Sequence, residues 1–190
     1  ADPIEAFGII EHLRDAGFGF RCISGSTRPG AAPGDVRTVT TETVYGNAMY
    51  GLKDCVVTIP TTPADRVPPD AAFDIVFIAG GQCPYFLMND AAVMRIIDAC
   101  PFAAAVCHGP EALIGSKWLH GPAGASGPFV SYYGAWMSFR DVLDRYERKK
   151  PGEICRDASG RLFTGNAPNA TKPMLVAACE AVQAAKAGAV

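Results

Sequence analysis

The residues best placed for chemistry are Cys107 and the groups that can gather around it. A short apolar run, Phe102-Ala103-Ala104-Ala105-Val106, stops at Cys107-His108-Gly109-Pro110 and gives way to the helix-like Glu111-Ala112-Leu113. The pattern predicts a strand, a sharp turn and a helix, with the cysteine at the apex. A thiol there is pushed off the sheet edge and faces the N–H groups and positive dipole end of the following helix, which favour thiolate. Thiolate is the nucleophilic form, so Cys107 is expected to have a depressed pKa and to act as a cysteine counterpart of the serine nucleophile elbow. His108 stands beside it to handle protons. A nucleophile also needs an oxyanion stabiliser. Gly80-Gly81 closes another apolar run, Phe73-Asp74-Ile75-Val76-Phe77-Ile78-Ala79. In a parallel sheet both runs end at the same carboxyl edge, so the N–H groups of Gly81 and His108 can face one developing negative charge. Glu5 lies in the first turn of the first helix. At that same edge it would be a buried, protonatable carboxyl within reach of the sulfur.

The elements that position these groups alternate between strand and helix. Residues 4–16 have helical periodicity, with Ile4, Phe7, Ile9, Ile10 and Leu13 on one face and Gly17 as a stop. A strand is expected at 18–24, a Pro/Gly loop at 26–34 and a Thr/Val/Tyr-rich edge ribbon at 36–50. Another strand follows at 55–59, then a short helix or turn at 64–71. Residues 73–79 read as a strand buried on both faces. Helices are expected at 90–100, from Cys107 to about 116, at 138–148 and at 172–186. A loop is expected at 121–128, and a hairpin from 154–156 and 161–164 around Ser159-Gly160. This alternation specifies a single α/β layered domain over 1–190 with a mainly parallel sheet. Such sheets usually begin with a strand ahead of the first helix, and none precedes residue 4, so a first strand is expected to be missing from the chain as given.

Composition narrows the function classes. The 190 residues are 49% hydrophobic, enough for one sizeable core, and carry a net charge of −2, which gives no electrostatic reason to expect nucleic acid or an anionic membrane as partner. No apolar run reaches the length of a membrane span. There are seven cysteines without paired or metal-ligand spacing and three scattered histidines. Reduced thiols, a cytoplasmic setting, no structural metal and no cofactor are expected. Six of the cysteines are expected to serve as small hydrophobes and His120 as a surface residue. Cys83 is a pocket wall or a resolving thiol. Tyr132-Tyr133-Gly134-Ala135-Trp136-Met137 is an aromatic patch suited to a pocket, a subunit interface or core packing.

Ala-Gly-Gly at 79–81, Ala-Val-Cys-His-Gly-Pro at 105–110, and Glu5 with Leu13-Arg14 and Gly17 downstream resemble the ThiJ/PfpI superfamily, PfpI-like branch. The resemblance implies a flavodoxin-like α/β/α sandwich of the class I glutamine amidotransferase type. It also implies Cys107 as nucleophile, Glu5 as the carboxyl against its sulfur, His108 as the adjacent histidine, and Gly81 and His108 as oxyanion donors. Ala79 departs from the family's usual proline. The implied activities are a glyoxalase III or deglycase acting on small carbonyl compounds, a cysteine peptidase, or a redox-sensing stress protein, in each case as a homodimer or larger homo-oligomer. No histidine follows His120, which argues against a glutaminase with a distant catalytic histidine.

Overall fold

The computed structural model describes residues 3–26, 59–81, 83–120 and 127–188, with the side chains of residues 3 and 4 left aside. The loop expected at 26–34, the ribbon at 36–50, nearly all of the strand at 55–59 and most of the loop at 121–128 lie outside them. Helix α1 (Pro3–Asp15) leads to strand β1 (Ile23–Ser24), which pairs in parallel with β2 (Thr62–Pro63). The main sheet holds β3 (Ile75–Ile78), β4 (Phe102–Val106), β5 (Ile154–Arg156) and β6 (Leu162–Gly165) in the order β3-β4-β6-β5. The first three run parallel, and β5 is antiparallel to β6. Between them lie α2 (Cys83–Leu87), α3 (Ala91–Ala99), α4 (Lys117–His120) and two 3₁₀ segments, Gly109–Gly115 and Tyr133–Arg145. Helix α5 (Thr171–Ala187) closes the chain.

The period of two along β4 divides the core. Ala103 and Ala105 face Val93, Ile96 and Ile97 of α3, together with Leu113, Trp118, Phe129 and Phe139. Phe102, Ala104 and Val106 face Met174, Ala178 and Val182 of α5. Three alanines in β4, none with any exposed surface, let both helical layers approach the strand closely. On the α5 side, Ile9 and Leu13 of α1 pack on Leu175 and Cys179. The result is the expected α/β/α sandwich.

The pattern along the chain held where tertiary contacts agreed with it. Helix α1 ends at Gly17, whose φ of +75° makes a glycine the natural stop. The hairpin at Ser159-Gly160 pairs as expected, its turn held by the buried Asp157, whose Oδ1 accepts N–H bonds from Arg161 and Leu162, both 2.9 Å. Elsewhere the structure corrects the reading. Of the strand expected over 18–24, Ile23–Ser24 is the part that pairs among the described residues. The strand buried on both faces is β4, not β3. Every residue of β4 is buried, whereas three of the four in β3 are half-buried, because β3 has a main-sheet partner on only one side among the described residues. The helix expected after Cys107 is a 3₁₀ turn of seven residues. Its terminal glycines are pressed on neighbouring backbone, Gly109 against the Ile78 carbonyl and Gly115 against the Met88 carbonyl. The helix expected over 138–148 is likewise 3₁₀, spans Tyr133–Arg145, and breaks at Phe139 and Val142. That break accompanies the seating of Phe139 between Phe129 and Tyr146, at ring distances of 4.9 and 5.9 Å.

Candidate active site at the Cys107 corner

Strand β4 ends at Val106, and Cys107 then adopts φ +58°, the one non-glycine residue in the left-handed region among the described residues. That conformation costs an L-residue roughly 1–2 kcal/mol and persists only where the surroundings over-determine it. They do so here through three backbone bonds. The Cys107 N–H donates to the Gly165 carbonyl at 2.8 Å. The Cys107 carbonyl accepts from the Tyr132 N–H and from Ser131 Oγ, each at 2.8 Å. The residue is 8% exposed, within the α5-side core.

Gly80 is the point around which the site closes. A Cβ there would fall 2.6 Å from Glu5 Oε2, 2.7 Å from Cys107 Cβ and 2.9 Å from the His108 nitrogen. These three groups therefore surround one small volume, which only a glycine leaves open. Glu5 has no exposed surface and accepts the Gly80 N–H through Oε2 at 2.5 Å. The buried carboxyl is thus tied to the end of β3, and α1 is the element that carries it there. Gly81 follows directly in the chain, half-buried, with φ +82°. Three of the positions expected from sequence, Glu5, Cys107 and His108, therefore meet at the carboxyl ends of β3 and β4, with Gly81 next in the chain after Gly80.

Around the His108 ring lie Glu111 and Ser138, which the sequence did not single out, and Tyr132 of the aromatic patch. His108 Nδ1 lies 3.0 Å from Glu111 Oε2, and Glu111 Oε1 accepts from Ser138 Oγ at 2.6 Å. Glu111 is only 5% exposed. The His108 ring lies on Tyr132, centroids 4.6 Å apart, and Tyr132 in turn meets Tyr133 at 4.4 Å. The signal for Glu111 was its place three residues after His108, one turn along, where side chains meet. Nothing in the sequence pointed to Ser138, which comes from a different segment 27 residues on.

The remaining thiols separate by environment. Cys100 and Cys155 are each pushed up to about 11, first by burial; Asp74 adds to the rise at Cys100 and Glu147 at Cys155. Burial also raises Cys22 and Cys179. Cys83 departs from the expectation of a small buried hydrophobe: it is exposed, at the first turn of α2. The described cysteines are all free thiols. His120 is exposed, as expected. No cluster of three or more metal-ligating side chains occurs among the described residues, and no helix among them is long and apolar enough to cross a membrane.

Comparison with known proteins places this arrangement in a fold. No family model matches the sequence, and no curated protein matches it. Solved structures do match. The protein VC2308 has a TM-score of 0.65 at 17% identity, over 100% of this chain and 88% of its own. Glyoxalase III from Candida albicans has a TM-score of 0.63 at 17% identity, over 94% of this chain and 86% of its own. A Schizosaccharomyces pombe DJ-1 variant has a TM-score of 0.67 at 13% identity, over 98% and 92%. The chain has the fold of the DJ-1/ThiJ/PfpI superfamily.

Proposed function

We propose that this protein is a cofactor-independent cysteine enzyme acting on small carbonyl compounds, with a glyoxalase III- or deglycase-like reaction. The observation that carries the reading is the closure of Glu5, Cys107 and the His108 N–H around Gly80. A nucleophile, a buried carboxyl and a hydrogen-bond donor converge at the end of β3, the set of groups that thiolate addition to a carbonyl carbon requires.

With methylglyoxal the sulfur of Cys107 adds to the aldehyde carbon. A C–S bond forms, the carbonyl π bond breaks, and a proton reaches the new oxygen, giving a hemithioacetal. The N–H groups of His108 and Gly81 steady the oxygen while it carries charge. A base, His108 or Glu5, takes the hydrogen from that carbon, and a proton is delivered to the neighbouring carbon. The enediol so passed through collapses to a lactoyl thioester. Water then cleaves the C–S bond, releasing lactate and restoring the thiol. The sum is methylglyoxal plus water to lactate, with no external oxidant or reductant.

The test is to incubate the protein with methylglyoxal and follow lactate by NMR, with Cys107→Ala as control. Lactate that appears with the intact protein and not with the variant is expected. Its absence, together with Cys107-dependent cleavage of a fluorogenic peptide, would replace this reading with a peptidase. Selective oxidation of Cys107 to a sulfinate by mild peroxide, without turnover of either substrate, would replace it with a redox sensor.

A further inference from the structure

We propose that Glu111 is the positioning residue for His108, fixing the hydrogen on Nδ1 and leaving Nε2 as the nitrogen that exchanges protons, and that Ser138 holds Glu111 for that task. The proposal deepens the catalytic reading but rests on its own geometry. Glu111 is a nearly buried carboxylate with both oxygens engaged, Oε2 with His108 Nδ1 at 3.0 Å and Oε1 with Ser138 Oγ at 2.6 Å. A carboxylate oxygen only accepts, so the histidine nitrogen facing it must be the one that bears hydrogen. In the neutral ring the lone pair is then on Nε2. A neighbour one turn away and a tilted Tyr132 ring at 4.6 Å together leave the imidazole little rotational freedom.

The clamp spans two segments. His108 and Glu111 belong to the turn that leaves β4, whereas Ser138 belongs to the 3₁₀ segment Tyr133–Arg145. A bond between Ser138 and Glu111 therefore makes the orientation of His108 depend on how that second segment is seated. The same segment begins beside Tyr132, whose N–H holds the Cys107 carbonyl. One element thus steadies both the cysteine backbone and the histidine ring.

The Glu5 carboxyl plays a different part. It accepts the Gly80 N–H through Oε2. The site therefore holds two buried carboxyls, one facing the cysteine and one facing the histidine.

The experiment is ¹⁵N–¹H NMR of ring-labelled histidine at a pH where His108 is neutral, in the full chain and in Glu111→Gln and Ser138→Ala. The His108 signals are assigned by their loss in His108→Ala. Hydrogen on Nδ1 is expected in the unchanged protein, with a shift to the Nε2–H form or a mixture in Glu111→Gln. A partial shift is expected in Ser138→Ala. Should Glu111→Gln fail to fold, the tautomer of the unchanged protein and its response to Ser138→Ala decide the matter. A dominant Nε2–H form in the unchanged protein, or a tautomer that no variant alters, overturns the proposal. If carbonyl turnover is found, Glu111→Gln should lower kcat by about 10-fold or more, up to about 10⁴-fold where the wrong tautomer dominates, with KM moving less than about threefold. An unchanged kcat would overturn it. An absence of turnover touches the catalytic reading alone, since the NMR outcome needs no substrate.

Discussion

At the scale of single residues, Cys107 combines a reactive group with a conformation that its residue type resists. The two can be separated by substitution. Both Cys107→Ala and Cys107→Gly remove the thiol, but only glycine is at ease at φ +58°. At most positions alanine is the more stable of the two. Here Cys107→Gly is expected to exceed Cys107→Ala by roughly 0.5–1 kcal/mol in urea unfolding, because relief of left-handed strain outweighs the entropy glycine adds to the unfolded chain. The opposite order would show that the corner relaxes when the sulfur is lost. Gly80 poses the complementary case, since there the obstacle to a side chain is the crowding of Glu5, Cys107 and His108 rather than backbone angle.

At the scale of elements, α3 has a starting signal whose effect can be measured. Asp90 caps the helix through Oδ1, which accepts the Ala92 and Val93 N–H groups at 3.0 and 3.2 Å. The same carboxylate accepts Ser26 N–H and Ser26 Oγ, both at 2.6 Å, and so joins the end of β1 to α3. Burial works to raise the Asp90 carboxyl, but the bonds from Ser26 and from the helix N–H groups outweigh it and hold the pKa below the ordinary value. A carboxylate with a lowered folded pKa contributes stability that is present above its unfolded pKa, near 4, and is lost as pH falls through the lower folded value. Asp90→Asn keeps an oxygen able to cap but loses the negative charge at the helix N-terminus, and is therefore expected to cost about 0.3–1 kcal/mol near pH 7. The gap between the variant and the unchanged protein should narrow as pH drops below 4. Urea midpoints measured from pH 7 down to the lowest pH at which both fold provide the check. A gap that stays constant would mean that the ionised form is not what is being held.

At the scale of the whole molecule, the segment that seats Ser138 also presents apolar surface. Tyr133 is 75% exposed, Met137 61% and Trp136 40%. Of the uses open to the aromatic patch, core packing therefore applies only to Tyr132 and Ala135. We propose that the outward face is covered by a second copy of this chain, since an apolar patch on one short segment is a common mark of association. Light scattering at micromolar concentration should give at least a dimer mass, and Tyr133→Ser with Met137→Ser should lower it. A monomer mass in the unchanged protein would count against the proposal.

The sequence by itself determined the layering and the corner. Alternating apolar runs with period two and period 3.6 are local signals, and each names the face that must be buried. A run of small residues ending at Cys-His-Gly-Pro likewise marks a turn that local sterics impose. Glu5, Gly81, Cys107 and His108 were expected together because each sits at or beside the end of such an element, and the structure gathers Glu5, Cys107 and the His108 nitrogen around Gly80. Tertiary structure decided what depended on segments far apart in the chain. Which strand is fully buried followed from sheet order, since among the described residues β4 has main-sheet neighbours on both sides and β3 on one. The turn after Cys107 became 3₁₀ where Gly109 and Gly115 press on other backbone. Ser138 reached Glu111 across 27 residues. A hydroxyl on one segment and a carboxylate on another leave no periodic trace, and only packing brings them within hydrogen-bonding distance.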